Sequence, residues 1–139
     1  MLRSLILALA LVGVAGAALA GPEGTWLTEG GKSHVEIRLC GEEFCGRIVW
    51  LREPRNEDGS VKLDKNNKNE TLRSRTILGI DLLSGFAAGG EGPWKGGRIY
   101  NPENGKTYRS NLRMQDADAM RVSGCVFIFC ETQIWTRVE

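Results

Sequence analysis

The sequence predicts an all-β protein: one eight-stranded, up-and-down antiparallel barrel behind an export leader. Three observations carry this. Apolar and polar residues alternate with period two, as in SHVEIRLC at Ser33–Cys40, the pattern of a strand with one buried face. Short turns rich in Gly, Asn and Pro separate the segments, and no run has helical periodicity. Four cysteines fall as two C-x4-C pairs, each bracketing a hairpin.

The chain begins MLRSLILALALVGVAGAALA, with one basic residue at Arg3, an apolar run from Leu5 and the box Ala18-Leu19-Ala20. That is the layout of a secretory signal peptide. Residues 1–20 are therefore expected to be removed and the product to be periplasmic or secreted. Residues 21–139 are long enough for one domain with one core. Once Arg3 is gone, Lys and Arg equal the 17 Asp and Glu. Such a balance leaves no electrostatic footprint for nucleic acid. No second apolar segment is long enough to span a membrane as a helix.

In an oxidising compartment an even cysteine count favours disulfides. C-x4-C fits neither the C-x2-C spacing of zinc sites nor the Cys-x-x-Cys redox spacing. Of three connectivities, the local one is expected, Cys40–Cys45 and Cys125–Cys130. Each would contribute about 2 kcal/mol, since the loops closed are short.

The elements follow in order. Gly24–Glu29 is a first strand, with Gly30-Gly31-Lys32 as the turn. Ser33–Cys40 and Cys45–Leu51 form a hairpin. Setting Cys40 opposite Cys45 pairs Ile37 with Ile48 and Val35 with Trp50, which gathers one apolar face. Residues 52–75 are polar, carry both charges and break the rhythm. This length without strands predicts a lid, an Ω-loop or disorder, with a short helix near Asn69–Ser74. Strands resume at Thr76–Phe86. Trp94–Asn101 and Lys106–Gln115 flank Pro102-Glu103-Asn104-Gly105, a turn with Gly105 in the left-handed region. That register pairs Tyr100 with Tyr108, Arg98 with Ser110 and Trp94 with Met114. The last hairpin, Ala119–Val126 and Cys130–Val138, pairs Val122 with Gln133 and Met120 with Trp135. Eight such strands close most simply as a barrel, whose interior side chains fill or one small ligand occupies.

The chemistry is sparse. The single histidine, His34, lies on a polar strand face and no G-x-S-x-G elbow exists, so no hydrolase relay is expected. Glu57-Asp58 and Asp116/Asp118 read as solvated turn residues. The oxygen-rich stretch Asp64–Glu70 is interrupted by lysines and lacks the EF-hand glycine, so no metal is expected there. No nucleotide motif and no cofactor signature is present. The remaining constellation is the set of polar and aromatic residues assigned to inward faces. Trp50, Trp94, Arg98, Tyr100, Tyr108, Gln133 and Trp135 are the candidate ligand-binding residues. Aromatic walls would accept an apolar body and Arg98 an anionic or carbonyl end. The competing reading is a filled core with an arginine stacked on a tryptophan. The bracket GCVFIFC places Val126, Phe127, Ile128 and Phe129 at a hairpin tip. This tip is expected to fold over and plug the barrel, the alternatives being a rim for ligand entry or a docking surface for a partner or membrane.

The segments GTWL, CGRIVWL, ILGIDLLSGF, GGRIYNPENGKTY and QIWTRV, in this order, resemble a family of small exported bacterial proteins known only as a domain of unknown function. The resemblance covers residues 24–138 and implies a compact lipocalin-like or fatty-acid-binding-protein-like barrel, without an activity. A second similarity is to lipocalins at large, in which a G-x-W tryptophan is covered by an arginine from near the chain's end. It implies Trp26 and Arg137 as the barrel-closing pair. The chain departs from lipocalins in being shorter, in lacking their C-terminal helix and in inserting residues 52–75. The expected function is that of a monomeric, exported, non-enzymatic binding protein holding a small hydrophobic or amphipathic ligand in the barrel. The alternative is a structural or protein-interaction module of the cell envelope with a filled core, docking an envelope protein through Phe127 and Phe129.

Overall fold

The computed structural model describes residues 21–139, together with Ala10 and Gly13. The leader expected at 1–20 lies essentially outside the described residues. Eight strands run in sequence order around a closed antiparallel barrel. They are β1 Gly24–Leu27, β2 Ser33–Cys40, β3 Glu43–Leu51, β4 Asp81–Ala87, β5 Trp94–Asn101, β6 Lys106–Asp116, β7 Ala119–Val126 and β8 Phe129–Arg137. Up-and-down order puts the β1–β2, β3–β4, β5–β6 and β7–β8 connections at one end, here the loop end. The start of β1 and the end of β8 lie at the other end with the remaining turns.

The core is the inner face of this cylinder. Trp26, Val35, Ile37, Phe44, Ile48, Leu83, Phe86, Trp94, Leu112, Met120, Val122 and Trp135 are all buried in one cluster. Packing excludes a Cβ at one glycine and crowds it at another. A Cβ on Gly97 would stand 2.3 Å from the Phe86 ring, and one on Gly46 would stand 3.0 Å from Val35 Cγ1. Gly97→Ala should therefore cost about 1–3 kcal/mol through overpacking, measurable by urea denaturation.

Two registers differ from the sequence-based expectation. β2 and β3 are joined by the two residues Gly41-Glu42, so Ile37 faces Gly46 and Val35 faces Ile48. The shift of two keeps these residues on the inner face. An irregularity between His34 and Val35 then sets Trp50 opposite His34. Trp50 is left 41 % exposed on the outside, its ring 4.3 Å from that of His34. The Cys40–Cys45 bond forms, although Cys40 faces Glu43 and Cys45 faces Arg38.

The β5–β6 register is displaced by one. Asn101 pairs with Lys106, and the Gly105 N–H donates to Asn101 O at 2.8 Å. The turn holds four residues, Pro102–Gly105, where three were expected. A shift of one reverses every side chain. Ile99 and Tyr108 are the facing inner pair, while Arg98 faces Arg109 and Tyr100 faces Thr107 on the outside. The bulge at Gly96 (φ 76°) restores Trp94 to the inner face opposite Leu112. There Trp94 meets Phe44 edge-on at 5.6 Å. The last hairpin has the expected pairing, with Cys125 opposite Cys130, Val122 opposite Gln133 and Met120 opposite Trp135. The Cys125–Cys130 disulfide is formed.

β1 is short, and only Trp26–Arg137 and Leu27–Thr136 pair it to β8. Among the described residues, the loop-end half of β8 thus has no strand on that side. The Glu29 carboxylate accepts the Ile134 N–H at 2.7 Å. A charged side chain on an edge donor hinders pairing by another chain.

Candidate functional site

The long connection between β3 and β4 is ordered, and the device that orders it is a buried acid. Asp64 is fully buried. Its Oδ2 accepts from Arg75 Nε at 2.9 Å and from Asn67 Nδ2 at 2.8 Å, and its Oδ1 accepts from the Tyr100 hydroxyl at 2.6 Å. The Arg75 guanidinium also lies 5.9 Å from the Tyr100 ring centroid. A buried carboxylate is tolerated when its lone pairs are filled in this way. Asn69 caps the 3-10 turn Glu70–Leu72 by accepting the Thr71 N–H, the short helix foreseen in this region. Thr76–Ile80, expected as strand, is instead the return of this loop, with isolated contacts such as Leu63–Thr76.

The loop is pinned to the β5–β6 turn. Asn66 Nδ2 donates to the carbonyls of Pro102 and Glu103. A Cβ on Gly105 (φ +70°) would fall 1.8 Å from Asn66 O. Gly105→Ala combines a left-handed backbone with a clash, and about 2 kcal/mol or more should be lost. A lowered thermal midpoint with new protease cleavage in residues 60–72 is the expected result.

Between this loop and the outer wall of β4–β7 lies a groove of about 960 Å³. Across its floor Ser84 pairs with Arg98, Arg98 with Arg109, and Arg109 with Cys125. Leu72, Leu82 and Val126 supply apolar lining, and Lys68, Arg75 and Lys106 add positive charge. Asp81 is the acid in the lining, and it pairs with Arg38 at 3.7 Å. Among the described residues, neither Arg98 nor Arg109 has an acidic partner; Arg109 Nη2 donates to Phe127 O. Like charges directly opposite on one sheet face repel, so this row suits an anion. A three-residue turn would have placed Arg98 in the interior. A one-residue turn difference hid the row, although the spacing Arg98…Arg109 was visible.

The other candidate residues divide by location. Trp94 and Trp135 are core. Gln133 is on the inner face, exposed, and accepts from Trp135 Nε1 at 3.0 Å. Tyr108 is half-buried at the loop-end rim, its hydroxyl accepting from Asn104 Nδ2 at 2.8 Å. Tyr100 is outside, under the loop. Trp50 is outside and is not among the groove-lining residues. The arrangement thus brings together Arg98, Tyr100 and Tyr108 but not Trp50, Trp94, Gln133 or Trp135. The tip does not plug the barrel. Phe127, Ile128 and Phe129 are 83 %, 87 % and 76 % exposed, because Phe127-Ile128 is a two-residue turn that projects beyond the strands.

Burial, with the hydrogen bond to the Asp64 carboxylate second, pushes the Tyr100 phenol up to about 12. The unfolded phenol ionises near its ordinary value of 10.0. The folded state therefore holds its proton longer. This contribution to stability is full below pH 10 and is lost as pH rises through about 12. Absorbance titration should show one of the two tyrosines ionising late, and Tyr100→Phe should delete that phase.

At the far end Trp26 is completely buried, and Arg137 lies over it with its guanidinium 4.3 Å from the ring centroid. Trp26 Nε1 donates to Pro22 O at 2.8 Å. Arg137 donates to the carbonyls of Gly21, Glu23 and Ala117. The pair fastens the N-terminal segment and the β6–β7 turn across the base.

The closed eight-stranded antiparallel barrel places the fold in the lipocalin-like class. The chain is a member of the bacterial family described as "Uncharacterized protein conserved in bacteria (DUF2147)", whose model matches residues 24–137. Among solved structures it is similar to protein HP1028 of Helicobacter pylori, stated to belong to the lipocalin family. The TM-score is 0.71 and the identity 27 %, over 84 % of this chain and 82 % of that one. Comparison with curated proteins gives no significant match.

Proposed function

We propose that the protein is an exported, non-enzymatic binding protein whose ligand is a small amphipathic anion. The ligand lies in the outer groove between the 52–75 loop and the β4–β7 wall, not deep in the barrel. The observation that carries this reading is the Arg98–Arg109 pair, without an acidic partner among the described residues, on the floor of a groove lined in part by Leu72, Leu82 and Val126. A carboxylate, sulfate or phosphate head would relieve the repulsion and accept charge-assisted hydrogen bonds. An acyl or aromatic body would cover Leu72, Leu82 and Val126. Export is supported by the leader-like N-terminus and by two disulfides, which persist in oxidising compartments.

Isothermal titration with dodecyl sulfate and dodecanoate, below their micelle concentrations, tests the reading. Arg98→Gln should weaken binding about tenfold, the loss of one charge-assisted contact. Undiminished affinity in both Arg98→Gln and Arg109→Gln would remove the groove as the site. A second reading, an interaction module of the cell envelope, draws on the exposed tip Phe127–Phe129. Its pull-down partner, whatever it is, should be lost when both phenylalanines become Ser.

A further inference from the structure

The apolar tip and the arginine row form one surface, and we propose that it docks the protein on an anionic lipid bilayer. Val126, Phe127, Ile128 and Phe129 make a contiguous wedge, with Val126 51 % exposed and the other three 76–87 %. Four consecutive apolar side chains at a turn are not what a solvated hairpin uses, and an exposed apolar patch marks an interaction site. The Cys125–Cys130 bond holds the wedge at its base.

Three features favour a bilayer as the occupant. The hairpin ladder extends to Val126–Phe129, and Arg109 takes the Phe127 carbonyl. The tip can therefore enter hydrocarbon with much of its backbone already satisfied, as that medium requires. Behind the tip, Arg98 and Arg109 face each other without an acid partner among the described residues, and Lys106 and Lys68 flank the same groove. Cations set one level back from an apolar wedge match lipid phosphates set above acyl chains. Of the acids near the tip, Glu131 stands opposite Gly124 on the inner side of the barrel mouth, Glu29 is engaged by the Ile134 N–H, and Asp81 in the groove lining is paired with Arg38. The molecule would thus tilt with its β5–β7 wall toward the headgroups and the free flank of β8 away.

The surface shares Arg98 and Arg109 with the proposed groove but does not depend on a soluble ligand. The test uses residues 21–139 with both disulfides intact and Phe127→Trp as reporter. The vesicles are phosphatidylcholine alone or mixed with phosphatidylglycerol. Emission beyond that of the unsubstituted protein should shift to the blue only with phosphatidylglycerol present, and lipids brominated in the acyl chain should quench it. Arg98→Gln and Arg109→Gln should each weaken vesicle binding about fivefold, the effect of one cation near an anionic surface. Phe127→Ser with Phe129→Ser should abolish it at unchanged thermal midpoint. No shift with either vesicle, equal binding to phosphatidylcholine, or arginine variants without effect would each overturn the proposal. So would a tip that binds an acidic soluble protein while ignoring vesicles. Dodecanoate binding without vesicle binding would sink the docking surface and leave the groove. The reverse pattern would sink the groove and leave the docking surface.

Discussion

Trp26→Ala should destabilise the barrel by about 3–5 kcal/mol, the cost of emptying a large aromatic site in a core that cannot collapse around it. The ring is fully buried, donates to Pro22 O and carries Arg137 on its outer face. Its loss also releases the guanidinium that joins Gly21, Glu23 and Ala117. The effect should therefore exceed that of Trp50→Ala, which removes a ring exposed on the outer wall and should cost under about 1 kcal/mol. Denaturant midpoints of the two variants check this. Similar losses would mean that closure at the base does not rest on Trp26.

Asp64→Ala is the second large effect. It removes the acceptor of three side-chain donors and leaves Arg75, Asn67 and Tyr100 without their common partner. Breaking such a pair costs about 3 kcal/mol, at the low end of the range because Arg75 remains partly solvated. The loss should be local. Hydrogen exchange in residues 62–77 should accelerate greatly, whereas amides of β6 and β7 should keep their protection. Asp64→Asn should be milder, since it retains one acceptor oxygen. The groove is built on this loop, so dodecanoate affinity should fall with loop order.

The strand count, the closed order and the last hairpin were legible because period-two alternation and the Cys125/Cys130 bracket both fix the same register. The stacking of Arg137 on Trp26 was an expectation only through the resemblance of Gly24-Thr25-Trp26 and a terminal arginine to lipocalins. The register around Arg98 was not legible. Pro102–Gly105 is compatible with a three- or a four-residue loop, and the choice decides whether Arg98 or Ile99 looks inward. Nor does the strand sequence WKGGRIYN discriminate, since Gly96 and Gly97 contribute no side chain to either face. Trp50 was misplaced because the irregularity beside His34 depends on pairing across two strands. In the sequence Asp64 is one oxygen donor among many in a polar run. Only the contact with Tyr100, thirty-six positions away, distinguishes it from its neighbours.

On the proposed function the outside of β4–β7, and not the barrel interior, meets the ligand. Amide and methyl shifts on titrating dodecanoate into isotopically labelled protein test it most directly. The largest changes are expected at Ser84, Arg98, Thr107, Arg109 and Leu72, with Leu83, Phe86, Leu112 and Trp135 nearly still. Shifts concentrated on those four core residues, with Arg98 and Arg109 unmoved, would contradict it.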